Sequence, residues 1–211
     1  MAASLARASL ESLLHTKKLG QTLTNGRHAL GAEREQASTG HAGLDAHLHG
    51  GIPRGHVSEL IGPRSSGRTA LLLRLLAAAT ARGELVALVD ALDMLDVESA
   101  AGAGIDLDRL LWVRGHVVPN PGLCRDLNQR ALVQAVRALT LVLEAGNFGL
   151  VAFDVGEAPA EAIRRLPFTT WLRLHRMVEG SHTVCLLVGE GRLSRSPAGL
   201  TLHAPALRQA I

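Results

Sequence analysis

The densest chemistry in the sequence lies in eight consecutive residues: Gly62, Pro63, Arg64, Ser65, Ser66, Gly67, Arg68 and Thr69. They follow an apolar, β-prone run over 56–61 and open a helical pattern that starts at Thr69. Glycines at both ends let the backbone fold tightly enough for successive N–H groups to converge on phosphate oxygens, and the following helix N-terminus adds its dipole. This is the setting of a Walker A phosphate-binding loop, in which Thr69 would offer its hydroxyl to magnesium. One residue breaks the pattern. Arg68 stands where the motif has a lysine, and a planar guanidinium does not substitute simply for a slim ammonium between phosphates. No lysine follows Lys18, so the rest of the chain holds no ammonium to replace it.

Other candidate groups carry less chemistry. Asp154 ends an apolar run and suits a carboxylate that holds magnesium through water. His41, His47, His49 and His56 lie close in sequence but lack cysteine partners and regular ligand spacing, which argues against a metal centre. Cys124 and Cys185 are far apart and form no CxxC, so they read as two reduced thiols. Arg164, Arg165, Arg173, His175 and Arg176, followed by Arg192 and Arg195, read as a solvated polar face, with a phosphate-binding patch as the alternative.

These groups need a scaffold, and the pattern supplies one. β-Prone runs over 56–61, 85–90, 110–114, 149–154 and 183–188 alternate with helical periodicity over 69–82, 94–103, 123–145 and 161–179. Strand and helix in alternation predict an α/β domain, a mostly parallel twisted sheet with helices on both faces. Ahead of it, residues 3–18 place Leu5, Leu10, Leu13 and Leu14 on one helical face, and a polar linker covers 20–39. The expected division is an N-terminal amphipathic helix and arm over 1–37 and a core domain over 38–211.

Composition sets the remaining bounds. With 211 residues the chain fits one such core. No apolar run approaches the length of a bilayer span, and a cytoplasmic protein without membrane contact is expected. A net charge of +3 is a slight footprint for a polyanion, and 2% aromatics with no tyrosine leave few rings on which bases could stack. DNA contact is therefore expected to be weak or indirect.

Ser38-Thr39-Gly40, Leu44-Asp45, Gly50-Gly51-Ile52-Pro53, Gly55, Glu59 and the loop 62–69 stand in the order and near the spacing of RecA recombinases. The likeness continues through Leu88-Val89-Asp90-Ala91, Leu95-Asp96, Gly104-Ile105-Asp106 and Leu110-Leu111 and reaches Phe153-Asp154. The short length and altered loop resemble the ImuA type, the RecA-like component of bacterial mutagenic repair cassettes. The resemblance implies a RecA-like P-loop core, ATP and magnesium as ligands, and residues 62–69 with Asp154 as their site, Thr69 and Asp154 holding the metal.

Departures from the family pattern matter as much as the match. Where RecA reads Asp-Ala-Glu, its glutamate activating the attacking water, this chain reads Asp90-Ala91-Leu92. Ser99 occupies the place of an aromatic ring against adenine, and Glu190 that of a glutamine sensing the γ-phosphate. ATP is thus expected to bind weakly or no longer, and hydrolysis to be slow or absent. The resemblance then implies an accessory role in DNA-damage-induced (SOS) mutagenesis and translesion synthesis, with RecA and an ImuB-type polymerase-like protein as partners. The alternative is a DNA-stimulated ATPase of the recombinase class, with Arg68 doing the lysine's work and Asp93 or Glu190 supplying the base.

Overall fold

The computed structural model describes Ser12 and residues 35–117, 124–194 and 199–204. Apart from Ser12, the helix expected over 3–18 lies outside the described residues, as do most of the arm and Arg195. Two compact units divide the chain, Met1–Arg34 and Glu35–Ile211. The elements below belong to the second.

Its opening strand β1 (Gln36–Ala37) pairs antiparallel with β2 (Ile52–Pro53), closing a loop that contains the short helix α1 (Ala42–His47). Asp45 locks this loop. Its carboxylate accepts hydrogen bonds from the Thr39 N–H (2.8 Å), the Thr39 hydroxyl (2.7 Å) and the Ser38 hydroxyl (2.7 Å). Gly51 is required by close approach, since a Cβ there would stand 2.0 Å from the Ala37 carbonyl oxygen.

Six strands form the main sheet: β3 (His56–Ile61), β4 (Leu85–Asp90), β5 (Leu110–Arg114), β6 (Phe148–Asp154), β7 (Val184–Gly189) and β8 (Thr201–His203). Their order is β5-β4-β6-β7-β3-β8, and every pairing is parallel. Alternation along the strands divides the core in two. Ala87, Val89, Val151, Phe153, Cys185 and Leu187 face one side, where they meet α4 (Arg125–Ala145), α5 (Ala160–Arg164) and α6 (Phe168–Val178). Val86, Leu88, Leu150, Ala152, Leu186 and Val188 face the other, against α2 (Arg68–Ala81) and α3 (Val97–Gly102). A strand buried on both faces must be apolar at successive positions, which is why these runs show little polar alternation.

Helices on both faces of a parallel sheet match the expected architecture. One expected element differs: the helical pattern over 161–179 is two helices, α5 and α6. Pro167 separates them, having no N–H for a continuing helix and disfavouring helical backbone at Leu166 before it. No helix among the described residues is long and apolar enough to cross a membrane.

Candidate functional site

Parallel strands put all their C-terminal ends on one edge of the sheet, the usual place for ligands in such folds. Register brings Asp90 of β4 beside Asp154 of β6, Asp154 beside Val188 of β7, and Gly189 beside Ile61 of β3. Gly62 then begins the phosphate loop, its N–H donating to the Gly189 carbonyl at 3.2 Å.

Loop shape follows from its small residues. Ser65 (φ 57°) and Gly67 (φ 82°) both adopt left-handed backbone, one on each side of Ser66. Such alternation turns successive N–H groups toward a common centre. An added Cβ at Gly67 would meet nothing within 4 Å, so glycine is there for its backbone angle. Gly62 is there for space: its Cβ would lie 2.6 Å from the Ser66 hydroxyl and 2.7 Å from the Ala204 carbonyl oxygen. Residues 63–70 with Glu157 line a cavity of about 330 Å³. A larger recess of about 600 Å³ beside α2 has, among the described residues, His41 and Arg74 as its only ionisable lining, so the loop cavity is where chemistry can gather.

Arg68, the first residue of α2, turns inward. It is 8% exposed, and its guanidinium donates through Nη1 to the Gly62 carbonyl and through Nη2 to the Gly156 carbonyl at 3.3 Å. The side chain thus joins the start of the loop to the turn after β6. Two buried polar atoms in this region, Arg68 Nε and Ser66 Oγ, have no hydrogen-bond partner among the described residues. At the mouth, Arg64 forms an ion pair with Glu157, Nε to Oε1 at 2.9 Å and Nη1 to Oε2 at 3.0 Å. Thr69 is exposed on the first turn of α2.

Asp154 accepts the Gly156 N–H at 2.7 Å. Burial pushes its carboxyl up to about 6; the Gly156 hydrogen bond and the charge of Arg68 oppose this, while Asp90 adds to it. Asp90 is itself 2% exposed, one oxygen accepting from the Leu95 N–H at 2.8 Å and from Trp112 Nε1 at 3.4 Å.

The positions read as altered relative to the family resolve in physical terms. Leu92 is 2% exposed and packs in the core with Val89, Ala91 and Val155. Asp93 has left-handed backbone (φ 57°) and is held by Arg114 through two 2.8 Å hydrogen bonds. The Arg114 hydrogen bonds keep its carboxyl below the usual aspartate value, which makes it a poorer base. Ser99 bonds to Asp96, the cap of α3. Glu190 is exposed just beyond β7.

The structure therefore brings together residues 62–69 and Asp154, and adds Asp90, Gly156 and Glu157. A polar residue ending a buried strand is a sequence signal for Asp90. The contacts of Gly156 and Glu157 are long-range and leave no local trace. The histidines stay apart from this site: His41 caps α1, His47 bonds to Gly43, and no cluster able to hold a metal occurs among the described residues.

Known proteins share parts of this chain. The family model described as RecA N-terminal domain matches residues 10–118, just over half the chain. A protein RecA from a Nitratiruptor species is 46% identical over 78 residues, 36% of this chain and 23% of that protein. Another, from Ectopseudomonas oleovorans, is 28% identical over 183 residues, 78% of this chain and 49% of that protein. This chain thus spans less than half the length of either relative. Among solved structures, the RadB recombinase is similar at 20% identity and a TM-score of 0.49, covering 73% of this chain and 69% of that one.

Proposed function

The chain belongs to the RecA family through its N-terminal domain, and from that premise we propose that it is a RecA-like accessory protein that works by binding partners, with ATP hydrolysis weak or absent. Its setting in this reading is SOS mutagenesis and translesion synthesis in the cytoplasm, and its partners are RecA, an ImuB-type polymerase-like protein, or both. DNA contact is weak or indirect.

The observation that carries the proposal is the burial of Leu92. Where a water-activating carboxylate would have to face the phosphate cavity, an aliphatic side chain is 2% exposed within the core. A neighbour does not replace it, because Asp93 is engaged by Arg114. General-base catalysis contributes about a hundredfold or more to such reactions, so its loss alone slows turnover severely. The short turn over 155–159 after β6 also leaves little backbone for wrapping a nucleic acid.

Phosphate-release measurements with and without single-stranded DNA test the proposal. Turnover at background level in both is expected, and DNA-stimulated turnover that disappears in Asp154→Ala would establish the recombinase-class ATPase instead. Partner binding is tested separately by removing residues 1–20, with loss of RecA association expected. Unchanged affinity would rule out docking through that segment.

A further inference from the structure

Reading the loop as a binding site rather than a hydrolytic one raises the question of what it binds, and we infer that it is a diphosphate cradle that works without a divalent metal, the Arg68 guanidinium taking the room of a third phosphate and its metal. The inference rests on the proposed function only in treating the loop as functional.

Three observations lead to it. First, the Arg68 guanidinium spans from the Gly62 carbonyl to the Gly156 carbonyl, two residues beyond Asp154. It therefore lies between the phosphate loop and the strand end that bears the carboxylate. A magnesium ion shared by Thr69 and Asp154 would have to sit in this same region, in room that the planar guanidinium fills and a slim ammonium would leave open. The guanidinium thus stands where the metal would go, and these residues do not fit it.

Second, the loop holds two buried polar groups without partners among the described residues, the Arg68 Nε donor and the Ser66 hydroxyl, in residues 8% and 7% exposed. Buried donors of this kind are rarely left unpaired, and a small adjustment of the loop around an anion's oxygens would satisfy both. Around them, the left-handed residues Ser65 and Gly67 and the start of a fourteen-residue helix direct N–H groups to one centre.

Third, the cavity is bounded. Glu157 lines it together with the loop and is held there by the ion pair with Arg64. A chain of two phosphates takes the N–H cradle, whereas a third and its metal would need the ground that Arg68 holds.

Titration calorimetry on the full 211-residue chain with ADP, ATP and inorganic pyrophosphate, each with magnesium and with EDTA, tests this. ADP and pyrophosphate should bind with affinities that EDTA changes by less than about twofold, and ATP with magnesium should bind about tenfold or more weakly than ADP. In Arg68→Lys, with folding verified by circular dichroism, ATP should gain about tenfold relative to ADP and become sensitive to EDTA. Arg68→Met should lose pyrophosphate binding. Tight magnesium-dependent ATP binding by the unaltered chain would overturn the inference, as would an absence of binding by all three ligands. Neither result bears on partner association, whose failure would count against the accessory role alone.

Discussion

Asp90 and Asp154 stand in register at the ends of two adjacent parallel strands, so that two carboxylates meet at the edge where the phosphate loop opens. One Asp90 oxygen accepts from the Leu95 N–H and the Trp112 indole, while among the described residues Asp154 accepts from the Gly156 N–H. Burial and this neighbour make the charged form of Asp154 costly.

Stability should therefore depend on pH through Asp154. Its folded value of about 6 lies above the ordinary 3.8, so the folded state binds the proton more tightly than the unfolded chain. The cost is absent below the ordinary value, grows as pH rises toward the folded value, and is complete above it. Asp154→Asn keeps an oxygen for the Gly156 N–H and removes the charge. It should stabilise the protein by about 1–3 kcal/mol at neutral pH and by much less near pH 4. Thermal melts of both proteins across this range check it; a difference that does not vary with pH would exclude Asp154 as the source.

Leu92 provides a second test, because restoring a family-like glutamate there should not restore catalysis. The side chain is 2% exposed and packed against the core beneath the strand ends. Leu92→Ala should cost about 2–4 kcal/mol. Leu92→Glu should cost at least as much, since it buries a carboxylate with no partner, and phosphate release should stay at background. Urea midpoints and single-turnover assays measure both. A stable, hydrolysing Leu92→Glu variant would mean that this position faces the cavity after all.

The strands carrying the site were legible in the sequence because burial on both faces forces long apolar runs: β3, β4 and β5 end where the pattern ends. The glycines of the loop were legible for a similar reason, each meeting a local demand of angle or space. The direction of Arg68 was not, since it depends on the Gly156 carbonyl 88 positions away. Nor was the left-handed turn at Asp93, a non-glycine residue whose position is held by Arg114 on the next strand. The helix pattern across Pro167 misled because the apolar spacing persists on both sides of it.

Glu59 couples the strand before the loop to the segment after β7. It is fully buried, and one carboxyl oxygen accepts the N–H groups of Leu193 (3.0 Å) and Ser194 (2.7 Å). Glu59→Ala leaves those two buried donors unpaired and should cost about 2–4 kcal/mol. Hydrogen exchange at Leu193 and Ser194 should quicken more than tenfold, about what 1.4 kcal/mol of lost local protection gives. Glu59→Gln keeps an acceptor oxygen and should preserve most of the protection. Equal exchange in the alanine variant would show that backbone contacts alone hold the segment.

At the opposite edge of the sheet, Arg54 serves as a clamp on strand starts that are distant in sequence. Its guanidinium donates to the Gly149 carbonyl (3.3 Å), the His182 carbonyl (2.8 Å) and Glu84 (2.6 Å), which precede or begin β6, β7 and β4. The side chain is 10% exposed, so these bonds are shielded from water and salt. Arg82 still pairs with Glu84 when Arg54 is removed, which moderates the loss. Arg54→Met should cost about 2–3 kcal/mol, below the full penalty of an orphaned buried charge. Arg54→Lys should recover little, because one ammonium cannot reach three acceptors fixed by a planar fork. Denaturant unfolding at low and high salt distinguishes this from a surface pair: the loss should be nearly the same in both, and a loss that vanished in high salt would make Arg54 an ordinary screened contact.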